Sequence, residues 1–66
     1  MPIGTRHEVT GLLLGQRGGF VLDAEGGGTW RLEVSRKARH LLGQRVTVVG
    51  VRDAFDLLVV ETITKA

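Results

Sequence analysis

The sequence predicts a mainly β domain in which five strands close into a Greek-key barrel, with one short helix between the third and fourth strands. Apolar runs with the period-2 alternation of half-buried strands occur five times. Glycine-rich segments separate the first three of these runs, and helical spacing appears only once, after the third. All of this fits within 66 residues, so we expect a single domain spanning residues 1–66.

The first strand is predicted from Arg6 to Leu14. Val9 and Leu13 fall on one face of this strand and Leu12 on the other, so its second half is apolar on both sides. Gly11 lies on the face of Val9 and Leu13. A glycine inside a strand indicates a bulge or a sharp coil, which lets one strand serve both halves of a small barrel.

The second strand is predicted over Phe20–Ala24 and the third over Thr29–Val34, each following a glycine-rich hairpin turn. In the third strand Trp30 alternates with Leu32 and Val34. This places Trp30 in the core or at the barrel rim, although an outward position stays open.

A short α-helix of about two turns is predicted after Ser35, whose hydroxyl suits an N-cap. Ala38, Leu41 and Leu42 follow the i, i+3, i+4 spacing of an α-helix and form one apolar stripe, predicted to plug the barrel. Gly43 then occupies the position where a left-handed residue ends a helix.

The fourth strand is predicted over Arg45–Arg52 and the fifth over Leu57–Thr64, joined by a turn at residues 53–56. Val46 and Val48 are expected to point inward, and Gly50 is expected to form a bulge.

The composition limits the ways in which so small a domain can be stabilised, and it bears on the expected location of the protein in the cell. The chain has no cysteine, which excludes disulfides and cysteine-containing metal sites, while 42% of its residues are hydrophobic. The net charge is +2, which permits contact with phosphate without demanding it. Residues 1–7 lack the apolar segment of a signal peptide, and no apolar run reaches the roughly 20 residues that span a bilayer. We therefore expect a cytoplasmic protein without membrane contact.

No constellation of residues indicates catalysis, a cofactor or a metal site. His7 and His40 fall on different elements, and the carboxylates are scattered along the chain. The glycine-rich turns lead into strands and not into a helix, which excludes a phosphate-binding loop of the Walker type. The sequence predicts a protein that is not an enzyme.

The predicted order of elements, three strands followed by a helix and two further strands, resembles that of the oligonucleotide/oligosaccharide-binding (OB) fold. This fold is a five-stranded Greek-key barrel. The segments Trp30–Val34 and Leu41–Arg52 are also similar to very short bacterial proteins of unknown function. An SH3-like barrel is the alternative, but it has only a 3₁₀ turn near its end.

A basic cluster on the predicted helix is the strongest candidate site. Arg36, Lys37, Arg39 and Arg45 bring four positive charges into ten residues. The cluster suits contact with an anion such as a nucleic-acid backbone, and a solvated helix face is the alternative explanation.

The OB resemblance implies a ligand across strands two and three, between the first and last hairpin loops. Its outer face would carry Val21, Asp23, Thr29, Arg31 and Glu33. The contact set implied for single-stranded nucleic acid is Arg17, Arg31, Arg52 and Phe55, with Arg36, Lys37 and Arg39 as an electrostatic aid. The acidic residues of this face would repel phosphate.

The leading expectation is therefore a non-enzymatic module that binds single-stranded nucleic acid or RNA. The alternative is a protein–protein interaction or self-assembly module without nucleic-acid binding. Two runs that are apolar on both faces, Leu12–Leu14 and Leu57–Val60, favour this alternative.

Overall fold

The computed structural model describes residues 4–16 and 19–66. The fold is mainly β, as predicted, with five strands in one sheet and one short helix. The strands are β1 (Arg6–Gln16), β2 (Gly19–Ala24), β3 (Thr29–Glu33), β4 (Arg45–Ala54) and β5 (Leu57–Lys65), and a 3₁₀ helix (Arg36–Leu41) connects β3 to β4. Within the described residues, no helix is long and apolar enough to cross a lipid bilayer.

The five strands close on themselves in the order β1-β2-β3-β5-β4. All neighbours are antiparallel except β3 and β5, which run parallel. The long strand β1 closes the barrel because its residues 6–12 pair with β4 and its residues 11–16 pair with β2. Gly11 belongs to both pairings, so this part of β1 serves both halves of the barrel as predicted. Both registers continue through Gly11 without a shift, so a bulge, one of the two expectations for this glycine, does not form there.

The core consists of alternate residues of every strand together with two residues of the helix. Eight buried side chains form one cluster: Leu13, Leu22, Leu32, Ala38, Leu41, Val46, Val48 and Leu58. The predicted inward faces are therefore correct. Val21 was expected on the outer face and lies outside this cluster, yet it is only 5% exposed.

The predicted α-helix is wrong in type, because residues 36–41 form a 3₁₀ helix. The predicted caps are confirmed: the Ser35 hydroxyl accepts a hydrogen bond from the backbone N–H of Lys37, and Gly43 has a φ of +79°. Side chains at i and i+3 eclipse in a 3₁₀ helix. Ala38 and Leu41 are consequently buried as predicted, whereas Leu42 is 38% exposed and does not belong to the plug.

The last hairpin is tighter than predicted, because β4 continues to Ala54 and leaves only residues 55 and 56 in the turn. The β4–β5 pairing shifts register between Val49 and Gly50, which agrees with the bulge predicted at Gly50. A second shift between Arg52 and Ala54 lies just before the turn.

Candidate functional site

A groove of about 490 Å³ lies at the barrel end covered by the 3₁₀ helix. Its lining comes from the end of β1, the start of β2, the end of β3 with the residue after it, the helix, and the residue after the helix. The lining residues are Gly15, Gln16, Gly19, Phe20, Leu32, Glu33, Val34, Arg36, Arg39 and Leu42. The groove has the size of a small-ligand site and combines apolar with charged side chains.

The 3₁₀ geometry decides which helix residues reach this groove. With about three residues per turn, residues 36, 39 and 42 fall on one stripe and residues 38 and 41 on another. Arg36, Arg39 and Leu42 accordingly line the groove, while the second stripe is buried in the core. Lys37 lies on neither stripe and is exposed outside the groove.

Three of the four strand arginines in the described residues have a carboxylate partner, and Arg52 donates to backbone carbonyl oxygens instead. Three arginines form ion pairs with carboxylates: Arg6 with Glu61, Arg31 with Asp56 and Arg45 with Glu25. Within residues 4–16 and 19–66, neither Arg36, Lys37 nor Arg39 has an ion pair. The positive charge of the helix is therefore not neutralised by this part of the chain.

The Arg45–Glu25 pair removes Arg45 from the predicted basic cluster. The Arg45 guanidinium donates through Nε and Nη2 to the two Glu25 oxygens. These hydrogen bonds hold the pKa of the Glu25 carboxyl below its usual range. The cluster in the folded chain is thus limited to the helix.

A second groove of about 260 Å³ adjoins the first and continues over β2 and β3 to the start of β5. The two grooves share four lining residues, and the second adds Val21, Arg31 and Leu57. This is the face where the OB resemblance places a ligand.

Arg31 is placed on that face but is not free. Its Nε and Nη2 donate to Asp56 Oδ1 over 3.0 and 2.7 Å. These hydrogen bonds lower the pKa of the Asp56 carboxyl, so the pair stays charged at neutral pH. Any ligand anion at Arg31 has to compete with this carboxylate.

Arg52 organises the β4–β5 turn. Its Nε donates to the carbonyl oxygens of Ala54 and Phe55 over 3.2 and 3.1 Å, and its guanidinium carbon lies 5.5 Å from the Phe55 ring centroid. Phe55 is 85% exposed, as expected for an aromatic residue in a turn. Neither residue lines either groove.

Trp30 is half-buried and packs against the core cluster, which resolves the orientation that the sequence left open. Its ring lies 5.4 Å from that of His7 on β1. The outward residues of β2 and β3, Val21, Asp23, Thr29, Arg31 and Glu33, consequently include no aromatic side chain.

The sequence assigned four apolar residues of the groove to no site: Phe20, Leu32, Val34 and Leu42. The first three belong to the core or pack against it, and they also line the groove. Leu42 follows Arg39 by three residues and Arg36 by six. In a 3₁₀ helix, with three residues per turn, this spacing places all three side chains on one stripe. The predicted contact residue Arg17 lies outside the described residues.

The two runs that favoured self-assembly each divide between core and surface. Leu13 and Leu58 are fully buried, whereas Leu12 and Leu14 are 39% and 37% exposed and Val59 is 36% exposed. The barrel core therefore explains one of the three residues in the first run, Leu13, and two of the four in the second, Leu58 and Val60. Self-assembly stays a prediction.

The described residues contain no group of three or more His, Asp or Glu side chains that could hold a metal ion. His7 shares a hydrogen bond with the Thr5 hydroxyl, and His40 contacts the Lys37 carbonyl oxygen. Both imidazoles thus have structural partners.

Residues 10–66 match the model of a protein family described as "Protein of unknown function (DUF5818)". No curated protein and no solved structure is significantly similar to the chain. The match covers most of the 66 residues, and it leaves the activity to be argued from the site itself.

Proposed function

The chain belongs to DUF5818, a protein family of unknown function, and we propose that it is a non-enzymatic, cytoplasmic binding module of the OB type for single-stranded nucleic acid. The observation that carries the proposal is the pair of arginines, Arg36 and Arg39, on one stripe of the helix and inside a groove. Both lack a carboxylate partner within the described residues, so a ligand phosphate is a suitable counter-charge.

The strand order supports the OB assignment. Five strands close in the order β1-β2-β3-β5-β4, and the helix lies between β3 and β4. The SH3-like alternative expects its 3₁₀ turn near the end of the chain, whereas the helix here ends at Leu41 and two long strands follow.

The placement of the groove supports the same ligand. It begins at the helix and continues onto β2 and β3, so a strand bound at the arginines would pass over the face that OB barrels use. Phe20 and Leu42 offer the apolar surface against which a base packs, in place of the aromatic platform that Trp30 does not form.

The proposal is tested by titrating the protein into fluorescently labelled single-stranded oligonucleotides at several salt concentrations. Two phosphate contacts on a single strand predict that the logarithm of the association constant falls by about 1.4 for each tenfold rise in salt. Affinity without this salt dependence, or no binding at low salt with tens of micromolar protein, would contradict the proposal.

Replacing Asp56 should strengthen binding. Asp56→Asn preserves the shape of the side chain but removes the carboxylate that holds Arg31, so Arg31 becomes available to the ligand at the adjoining groove. Because the pair is exposed, we expect a gain of only about twofold to fivefold in affinity.

Asp53→Asn is the matched control for this variant. Asp53 is exposed and forms no ion pair within the described chain, so the substitution changes the net charge equally without releasing an arginine. If both variants strengthen oligonucleotide binding to the same degree, net charge and not the release of Arg31 is responsible.

A further inference from the structure

The positive charge available to a ligand is concentrated at one end of the continuous groove. Arg36 and Arg39 both line the part beside the helix. At the other end, Arg31 is already bound to Asp56. A ligand that fits this distribution carries most of its negative charge at one terminus.

Arg36 and Arg39 lie on one stripe of the 3₁₀ helix, one turn and about 6 Å apart along its axis, and both line the same part of the groove. Eclipsed i and i+3 side chains point in the same direction, so Arg36 and Arg39 face the same region of the groove. Guanidinium groups bind phosphate oxygens through paired hydrogen bonds. When two such side chains one turn apart turn toward a single phosphate, they match a doubly charged phosphomonoester better than an internal phosphodiester, which carries one charge.

The other lining residues make the rest of the groove unfavourable for further negative charges on the ligand. Glu33 adds a carboxylate to the wall and forms no ion pair with either arginine in the described chain. Phe20 and Leu42 supply apolar surface. The groove thus offers one cationic point, an apolar surface and an acidic wall, which disfavours further phosphates.

We propose that this groove recognises a terminal phosphomonoester of a single strand, with the end phosphate held by Arg36 and Arg39 and the adjacent base packed against Phe20 and Leu42. The inference rests on the proposed function and narrows it from any single strand to a phosphorylated end. A phosphomonoester carries a charge of about −1.5 to −2 at pH 7, against −1 for an internal phosphodiester. The free nucleoside monophosphate has the same chemistry and is the second source of this ligand.

The test compares one labelled oligonucleotide sequence in three forms: phosphorylated at the 5′ end, phosphorylated at the 3′ end, and without a terminal phosphate. At least one phosphorylated form should bind about tenfold more tightly, as expected for one additional charged hydrogen bond. This preference should shrink below about pH 6, where the phosphomonoester dianion takes up one proton and becomes a monoanion. It should disappear in the double variant Arg36→Ala/Arg39→Ala and persist in Lys37→Ala.

The outcomes separate this inference from the proposed function. Equal affinity for all three forms overturns end recognition and leaves single-strand binding in place. Competition by a nucleoside monophosphate, but not by the unphosphorylated nucleoside, supports end recognition. If the monophosphate binds and no oligonucleotide does, the phosphomonoester site is supported and the single-strand function is overturned.

Discussion

Gly11→Ala is expected to unfold most of the protein or to destabilise it by at least about 3 kcal/mol, the upper part of the range for overpacked cores. An added Cβ would lie 2.2 Å from the Asp23 carbonyl oxygen and 2.8 Å from the Ala24 Cα. Both atoms are backbone atoms of β2, so no side-chain rotation relieves the clash. Because Gly11 also pairs with Val46 of β4, β1 cannot move away from β2 without straining the other half of the barrel.

The effect of this substitution is large in relation to the total stability of so small a domain. At about 0.05–0.15 kcal/mol per residue, a chain of this length has roughly 3–10 kcal/mol available. The chain has no cysteine, so no disulfide compensates for the loss. Urea unfolding followed by circular dichroism measures the loss, and a lowered midpoint with an unchanged slope indicates altered stability.

Gly26→Ala is the control, because a Cβ there meets nothing within 4 Å and the residue does not have a positive φ. We expect its stability to be unchanged or slightly raised, since alanine reduces the conformational freedom of the unfolded chain. A folded Gly11→Ala protein with the stability of Gly26→Ala would show that β1 and β2 do not approach as closely as described.

The sequence predicts the sheet well because period-2 alternation depends on which face of a strand is buried. In β3 and β4, the inward assignments of Leu32, Val46 and Val48 are correct, since one buried face leaves one register available. Gly11 was identified for a similar reason: only a close approach or a bend favours glycine inside an apolar strand.

The helix type could not be predicted from the same kind of pattern. Ala38 and Leu41 are three residues apart, which suits both an α-helix and a 3₁₀ helix. The rise of about 2.0 Å per residue in a 3₁₀ helix, against 1.5 Å in an α-helix, lets six residues reach about 12 Å instead of 9 Å between β3 and β4. The local spacing of apolar residues therefore does not distinguish the two helices.

Of the candidate site, only the residues that are close together in the sequence could be predicted. The cations at positions 36, 37 and 39 are visible in the sequence, but separating Arg36 and Arg39 from Lys37 needs the 3₁₀ stripes. The neutralisation of Arg31 by Asp56 joins residues 25 positions apart and follows from the parallel pairing of β3 and β5. Without the β3–β5 register, the sequence does not show which arginines lining the grooves lack a carboxylate partner.

Single-stranded nucleic acid binding should fall about 100-fold in the double variant Arg36→Ala/Arg39→Ala. Each arginine is assigned one charged hydrogen bond to phosphate, worth about 1.5 kcal/mol, and the two together contribute about 3 kcal/mol to binding. The salt dependence should fall with the affinity, because removing both phosphate contacts removes the counterion release that produces it. Fluorescence anisotropy at several salt concentrations measures both quantities.

Lys37→Ala provides the comparison for each single variant, Arg36→Ala and Arg39→Ala. All three remove one positive charge from the same 3₁₀ helix, but Lys37 does not line the groove. A site built on the groove stripe predicts a loss of about tenfold for each arginine variant and less than about twofold for Lys37→Ala. All the variants should unfold at nearly the same temperature, since these exposed side chains form no ion pair within the described residues. Equal losses for the three single variants would instead assign binding to the diffuse charge of the helix, and the groove would lose its role.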